Sequence, residues 1–272
     1  MNKKIYFDPS SALKQSFIFP TDVIKYVIKG SNGKLWLKLI QSCKYFYAKQ
    51  KSIFVKNTTV KECGLIEVFD KPSFVYWETA EEIPSNMFLA GKLTIYGPIE
   101  MLKSKIYKCS LKELKISSTK LTINEFEFLT ASESLESFSI QNSNILYSNK
   151  SVVQLEDIFA ALPNITSFTY RHTYLTNDYA INKQTFYQMA YTCRNRKLLI
   201  IDIQGIGYET SPSDVVLFIQ NYAANHCKIF LNLKPTFPQT MIFKSMINQM
   251  RLKWEPAFAM PVIQLRSSNR RF

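Results

Sequence analysis

The feature that most constrains this chain is a recurrence of aliphatic residues, spaced L-x-x-L-x-L, through its second half. Leu111, Leu114, Ile116, Thr119 and Leu121 form a first unit, and Leu135, Phe138, Ile140, Ser143 and Ile145 a second. Ile165, Phe168, Tyr170, Thr173 and Leu175 form a third, and Leu198, Ile201, Ile203, Ile206 and Tyr208 a weaker fourth. A fifth comprises Leu231, Leu233 and Thr236, with Lys228 at its first apolar position, and Ala90, Leu93 and Ile95 begin the series. The unit starts step by 24, 30, 33 and 30 residues. A unit of this size cannot bury its apolar face alone and must stack on its neighbours, so the period outranks local assignments.

Within each unit the alternating aliphatics predict a short strand with one inward face. Helix signals fill the stretches between. Thr122 is placed to cap a helix over 123–131, and 153–162 ends at Pro163-Asn164. A further helix is predicted over 182–193, and Ser211-Pro212-Ser213-Asp214 is a strong start for 215–225. Pro238 opens the last, over 239–252. Strands alternating with helices in this way predict an α/β fold, a parallel sheet with its helices on the outer side. The pattern resembles leucine-rich repeats, which implies a curved solenoid over 90–265, with a joining segment at 57–89, where Leu65-Ile66-Glu67-Val68-Phe69 and Phe74-Val75-Tyr76-Trp77 read as strands or a joining layer, and a basic tail at 266–272. In such repeats an Asn or Cys at the ninth position satisfies the turn backbone. Thr119, Ser143, Thr173 and Thr236 offer hydroxyls there, whereas Ile206 cannot, so the fourth turn should differ.

The outward residues of successive strands are expected to line the concave face and to bind a target protein: Lys115, Ser139, Gln141, Thr169, Arg171, Ile200, Asp202, Phe230 and Asn232. Ile200 and Phe230 among polar neighbours suit a recognition hot spot unless the C-terminal tail covers them.

The N-terminal stretch is a different sentence. Val23, Ile24, Val27 and Ile28 make one apolar stripe after Pro20-Thr21-Asp22, and Gly30-Ser31-Asn32-Gly33 stops the helix. Leu35, Trp36, Leu39, Ile40 and Cys43 give a second stripe, followed by Tyr45-Phe46-Tyr47. A module of about forty residues buries too little surface to stand alone and must pack on something. Phe19-Pro20-Thr21-Asp22-Val23, then Ile28, Leu39 and Cys43-Lys44-Tyr45-Phe46, resembles a divergent F-box over 17–56, with Phe19, Asp22 and Phe46 departing from the usual Leu, Glu and Trp. The resemblance implies docking onto the Skp1-like linker subunit of a cullin-based ubiquitin ligase, through Phe19, Pro20, Val23, Ile24, Ile28, Leu39 and Phe46. With the repeats, the layout resembles the F-box proteins expanded in nematodes. It implies a non-catalytic substrate-recognition adaptor with no cofactor, whose other partner is a protein target that the sequence does not name.

Charge and chemistry narrow the alternatives. The net charge is +13, and residues 1–56 hold eleven lysines against Asp8 and Asp22 but no arginine. An acidic protein partner, a nucleic acid or an anionic membrane surface all fit such a field. The missing Arg forks argue against nucleic acid. A repeat scaffold without ligase role, or a basic nucleic-acid or membrane-surface binder, are the alternatives to the adaptor. No apolar run reaches a membrane span, and no secretory leader is read at the start. Cys43, Cys63, Cys109, Cys193 and Cys227 lack C-x-x-C spacing, and the two histidines have no ligand-spaced neighbours. The cysteines are expected to be buried reduced thiols of an intracellular protein, with no metal site. Gly205-Ile206-Gly207 lacks the third glycine of a dinucleotide fingerprint. His226 and Cys227 are expected on opposite faces, and Glu81-Glu82 and Glu156-Asp157 in solvent.

Overall fold

A computed structural model describes residues 20–30, 33–42, 46, 53–70, 73–172, 180–207, 209–233 and 240–267. The elements run α1 (Thr21–Gly30), α2 (Gly33–Ser42), β1 (Ile53–Val60), β2 (Ile66–Asp70), β3 (Ser73–Trp77), β4 (Met87–Ile95), α3 (Glu100–Lys103) and β5 (Ile106–Ser117). They continue with β6 (Lys120–Thr122), α4 (Ile123–Thr130), β7 (Ser137–Gln141), β8 (Asn144–Leu146), α5 (Leu155–Ala160) and β9 (Ser167–Arg171). The last are α6 (Thr185–Ala190), β10 (Leu198–Ile206), α7 (Pro212–Tyr222), β11 (Ala223–Leu233), α8 (Thr240–Leu252), a 3₁₀ turn (Ala257–Ala259) and β12 (Val262–Ser267).

The recurring aliphatics do what their spacing requires. The main sheet has ten strands in the order β12-β11-β10-β9-β7-β5-β4-β1-β2-β3. Every pairing from β1 through β4 to β12 is parallel, and β2 and β3 add an antiparallel edge. Leu114, Phe138, Phe168, Ile201 and Ile229 lie side by side in register, as do Ile116, Ile140, Tyr170, Ile203 and Leu231. All of these are buried. Helices α4 to α8 cover that face through Phe126, Phe159, Phe186, Phe218 and Phe243 in one continuous core. Phe159 meets Phe168 edge to face with ring centroids 5.2 Å apart, and Phe138 stacks on Phe168 at 6.1 Å.

Local chemistry sets the helix starts. Thr122 accepts from the Glu125 amide at 3.3 Å, and Glu125 Oε2 accepts from the Thr122 amide at 2.8 Å, a reciprocal capping box. Ser143 Oγ donates to the Gln141 carbonyl at 2.8 Å and accepts from the Thr119 amide at 3.2 Å, filling the ninth-position role expected of it. Ile206 is fully buried, and its turn is made by Gly205 at φ +97°. Thr173 and Thr236 lie outside the described residues.

Several boundaries differ from the sequence reading. The sheet begins at Ile53, not in the nineties, so the segment 57–89 is part of it rather than a joint. Its strands β2 and β3 lack the repeat spacing because they run antiparallel, and Gly91, at φ +72°, shifts the register of β4 against β1. A Cβ at Gly91 would stand 2.4 Å from the Lys56 carbonyl oxygen. Arg266 is not tail but part of β12. Helices α5 and α6 are shorter than predicted, and Ala223 already belongs to β11. Lys228 is not the first inward residue of the fifth unit. The left-handed backbone at His226, φ +59°, inserts extra chain between β10 and β11, so Cys227 takes the buried place and Lys228 is exposed.

The floor between the third and fourth units is sealed by Arg194. Its guanidinium donates to the carbonyls of Leu162 at 2.9 Å and Ile165 at 2.8 Å, and lies 4.2 Å from the Phe159 ring centroid. Burial pulls its pKa down to about 10; the carbonyls take its Nη1 and Nη2 donors, while the buried Nε has no partner. Removing it strands buried acceptors, so Arg194→Met should lower stability by about 2–4 kcal/mol in urea unfolding. Gly91→Ala should cost about 2 kcal/mol or more in the same assay, since it combines a positive φ with a backbone clash.

Candidate functional site

On the face opposite the core, from β5 to β12, the strands present straight polar rows. Lys115, Ser139, Thr169, Asp202, Phe230 and Gln264 form one row, each paired in register with the next. Gln141 and Arg171 are neighbours in the row above, where Gln204, Asn232 and Arg266 also align. Ser137, Ser167, Ile200, Lys228 and Val262 make the row below. Among the described residues no helix covers these rows. All nine residues read from the sequence as target-binding therefore share one surface.

Ion pairs order the charges there. Arg171 Nε donates to Asp202 Oδ2 at 3.0 Å, and its Nη2 to the same oxygen. That hydrogen bond holds the Arg171 guanidinium above its ordinary pKa. Lys92 reaches Glu113 at 2.7 Å. Both pairs are partly solvated and fix geometry more than they stabilise. Ile200 is exposed, whereas Phe230 is half-buried with the Arg266 guanidinium 5.2 Å from its ring centroid. The C-terminal segment thus reaches Phe230 as an added strand. The alternation of Val262, Gln264 and Arg266 with Ile263 and Leu265 was the signal that could have found it.

The N-terminal helices use their apolar residues in two directions. Ile24 and Phe46 are buried in a second cluster with Phe88 and Ala90, against which Leu39 and Phe54 also pack. Phe88 and Ala90 alternate with Met87 and Leu89 of the main core, so this cluster lies on the face away from α4 to α8. Phe54 and Phe88 meet edge to face at 5.4 Å. Ile24, Leu39 and Phe46, read as contacts for a linker subunit, instead fasten the module to the first strands. Pro20 and Val23 of that set stay exposed, as do Tyr26 of α1 and Leu35 of α2, which the sequence reading did not single out as contacts. Phe19 and the Ile28 side chain lie outside the described residues.

The expected chemistry needs two corrections. Cys63 and Cys193 are exposed, not buried, because one sits in a turn and the other in the loop between α6 and β10; Cys109 and Cys227 are packed into the sheet. Glu156 is buried rather than solvated, because Asn182 Nδ2 donates to its Oε1 at 3.2 Å under the turn preceding α6. Among the described residues no three His, Cys, Asp or Glu side chains gather closely enough to hold a metal ion, and no helix is long and apolar enough to cross a membrane. No family model, curated protein or solved structure matches the chain.

Desolvation pushes the thiols of Cys109 and Cys227 up to about 12. At pH 8 only about one in ten thousand would be thiolate, the nucleophilic form. Iodoacetamide under native conditions should label Cys63 and Cys193 and spare Cys109 and Cys227 until urea opens the fold; peptide mapping by mass spectrometry reads the difference.

Proposed function

We propose that this chain is a non-catalytic recognition adaptor of a Skp1-cullin-type ubiquitin ligase. Its N-terminal module is an F-box-like dock for a Skp1-like linker subunit, and its sheet is a leucine-rich-repeat-like solenoid that holds a target protein. The observation that supports this reading best is the in-register, helix-free polar face from β5 to β12. A backbone held rigid by the ladder beneath, carrying short hydroxyl and amide side chains, suits the recognition of another chain.

The two-way use of the helices supports the docking half. Ile24, Leu39 and Phe46 face the sheet, which leaves Pro20, Val23, Tyr26 and Leu35 outside as an apolar surface on a module otherwise rich in lysine. A linker subunit with an apolar groove and an acidic rim would match both properties. The adaptor raises the effective concentration of target beside the ligase and makes or breaks no bond itself.

The test is capture of a purified Skp1-like linker subunit by the full chain. The parent chain should retain it, and Pro20→Ala combined with Val23→Asp should reduce retention about tenfold or more. An aspartate in the first turn of α1 favours the helix dipole, so the loss would not report unfolding. Failure of the parent chain to retain the linker would overturn the ligase role.

A further inference from the structure

The helix-free face is not evenly charged, and its imbalance is concentrated. Glu113 and Asp202 are already matched by Lys92 and Arg171. Lys115, Lys228 and Arg266 lie on the same face, and among the described residues no carboxylate is within ion-pair distance of any of them. At the β12 end the surface dips into a shallow pocket of about 120 Å³ lined by Arg171, Asp202, Gln204, Phe230, Asn232 and Arg266, with Leu231 completing it. Its apolar floor is the Phe230 ring, and its rim carries amides from two adjacent strands. Arg266 Nη2 donates to Gln264 Oε1 at 3.3 Å, a neutral acceptor that leaves the guanidinium charge uncompensated.

The geometry points to an acidic peptide segment of the target as the occupant, with one Asp or Glu carboxylate seated against Arg266 and an adjoining apolar residue on Phe230. This rests on reading the helix-free face as the target-binding face. A carboxylate needs a cation with a planar fork and room for its second oxygen; Arg266 supplies the fork, and the amides of Gln204 and Asn232 border the pocket. Asp202 on the opposite side sets register, since a second negative charge placed there would meet an oxygen already engaged by Arg171. The same feature disfavours a nucleic-acid strand. A phosphate backbone would run its charges past Asp202 and Glu113.

The experiment selects a phage-displayed library of random twelve-residue peptides on the immobilised full chain and measures the recovered sequences as synthetic peptides by fluorescence anisotropy. Recovered peptides should share an Asp or Glu at a fixed position beside an apolar residue. Arg266→Gln should weaken them about tenfold or more, Arg266→Lys by less, and Asp→Asn in the peptide should add nothing on the Arg266→Gln background. Arg266 is exposed on the outermost strand, so its variants should keep the parent urea midpoint and the parent's linker capture. Recovery of no peptide, of peptides without a fixed acid, or of peptides indifferent to Arg266→Gln would each overturn the inference. Displacement of the peptides by an equal concentration of oligouridylate would overturn it in favour of a phosphate backbone. Peptide binding that follows this pattern without linker capture would remove the ligase role alone, and linker capture without it would remove this pocket alone.

Discussion

Everything in this molecule leans on the lateral registration of inward side chains from neighbouring parallel strands. Leu114, Phe138, Phe168, Ile201 and Ile229 come from five stretches of chain, yet each stands opposite the next. A parallel strand sliding by one residue would turn these groups to the other face and bring the serines and threonines into the core. Burial of each large side chain is worth about 1.5–3 kcal/mol, so such a slip is strongly opposed. The same registration that hides the aliphatics fixes the polar rows behind them. The recognition surface is therefore a by-product of the core: its spacing is set from underneath.

The first strands show how that rule is relaxed where the module attaches. β4 carries Met87 and Leu89 into the main core and Phe88 and Ala90 into the second cluster, so it is apolar on both faces in its first half. After the bulge at Gly91 it exposes Lys92, sends Leu93 and Ile95 back into the main core and buries Thr94 between them.

Much of this could be read from the residues. The period of the aliphatics placed β5, β7, β9 and β10 next to one another, and Thr122 announced its helix, because both signals are local and strong. Strands β1 to β3 were illegible as a series, since their hydroxyl residues and the bulge break the spacing that identifies the others. Lys228 was misaligned because a left-handed His226 leaves no mark on an apolar count. The direction of Ile24, Leu39 and Phe46 was also hidden: an amphipathic stripe states that a helix must pack, and not upon what. The nine residues assigned to the open face do alternate with the buried ones of their strands, because alternation is a geometric consequence of the pleat. Arg266 was missed, since its grouping with Arg270 and Arg271 reads as a basic tail until the alternation with Ile263 and Leu265 is given weight.

The clamp at Arg194 has a consequence for how the array holds together. Its side chain belongs to the stretch leading into β10, yet its hydrogen bonds end on carbonyls between α5 and β9. Tyr222, one unit further on, likewise donates its hydroxyl to the Ala190 carbonyl at 3.1 Å. At these two links one unit closes the open bottom of the one before it. Arrays built from independent links can fray one link at a time. Here an opening at either of these two links also removes hydrogen bonds from the unit before it.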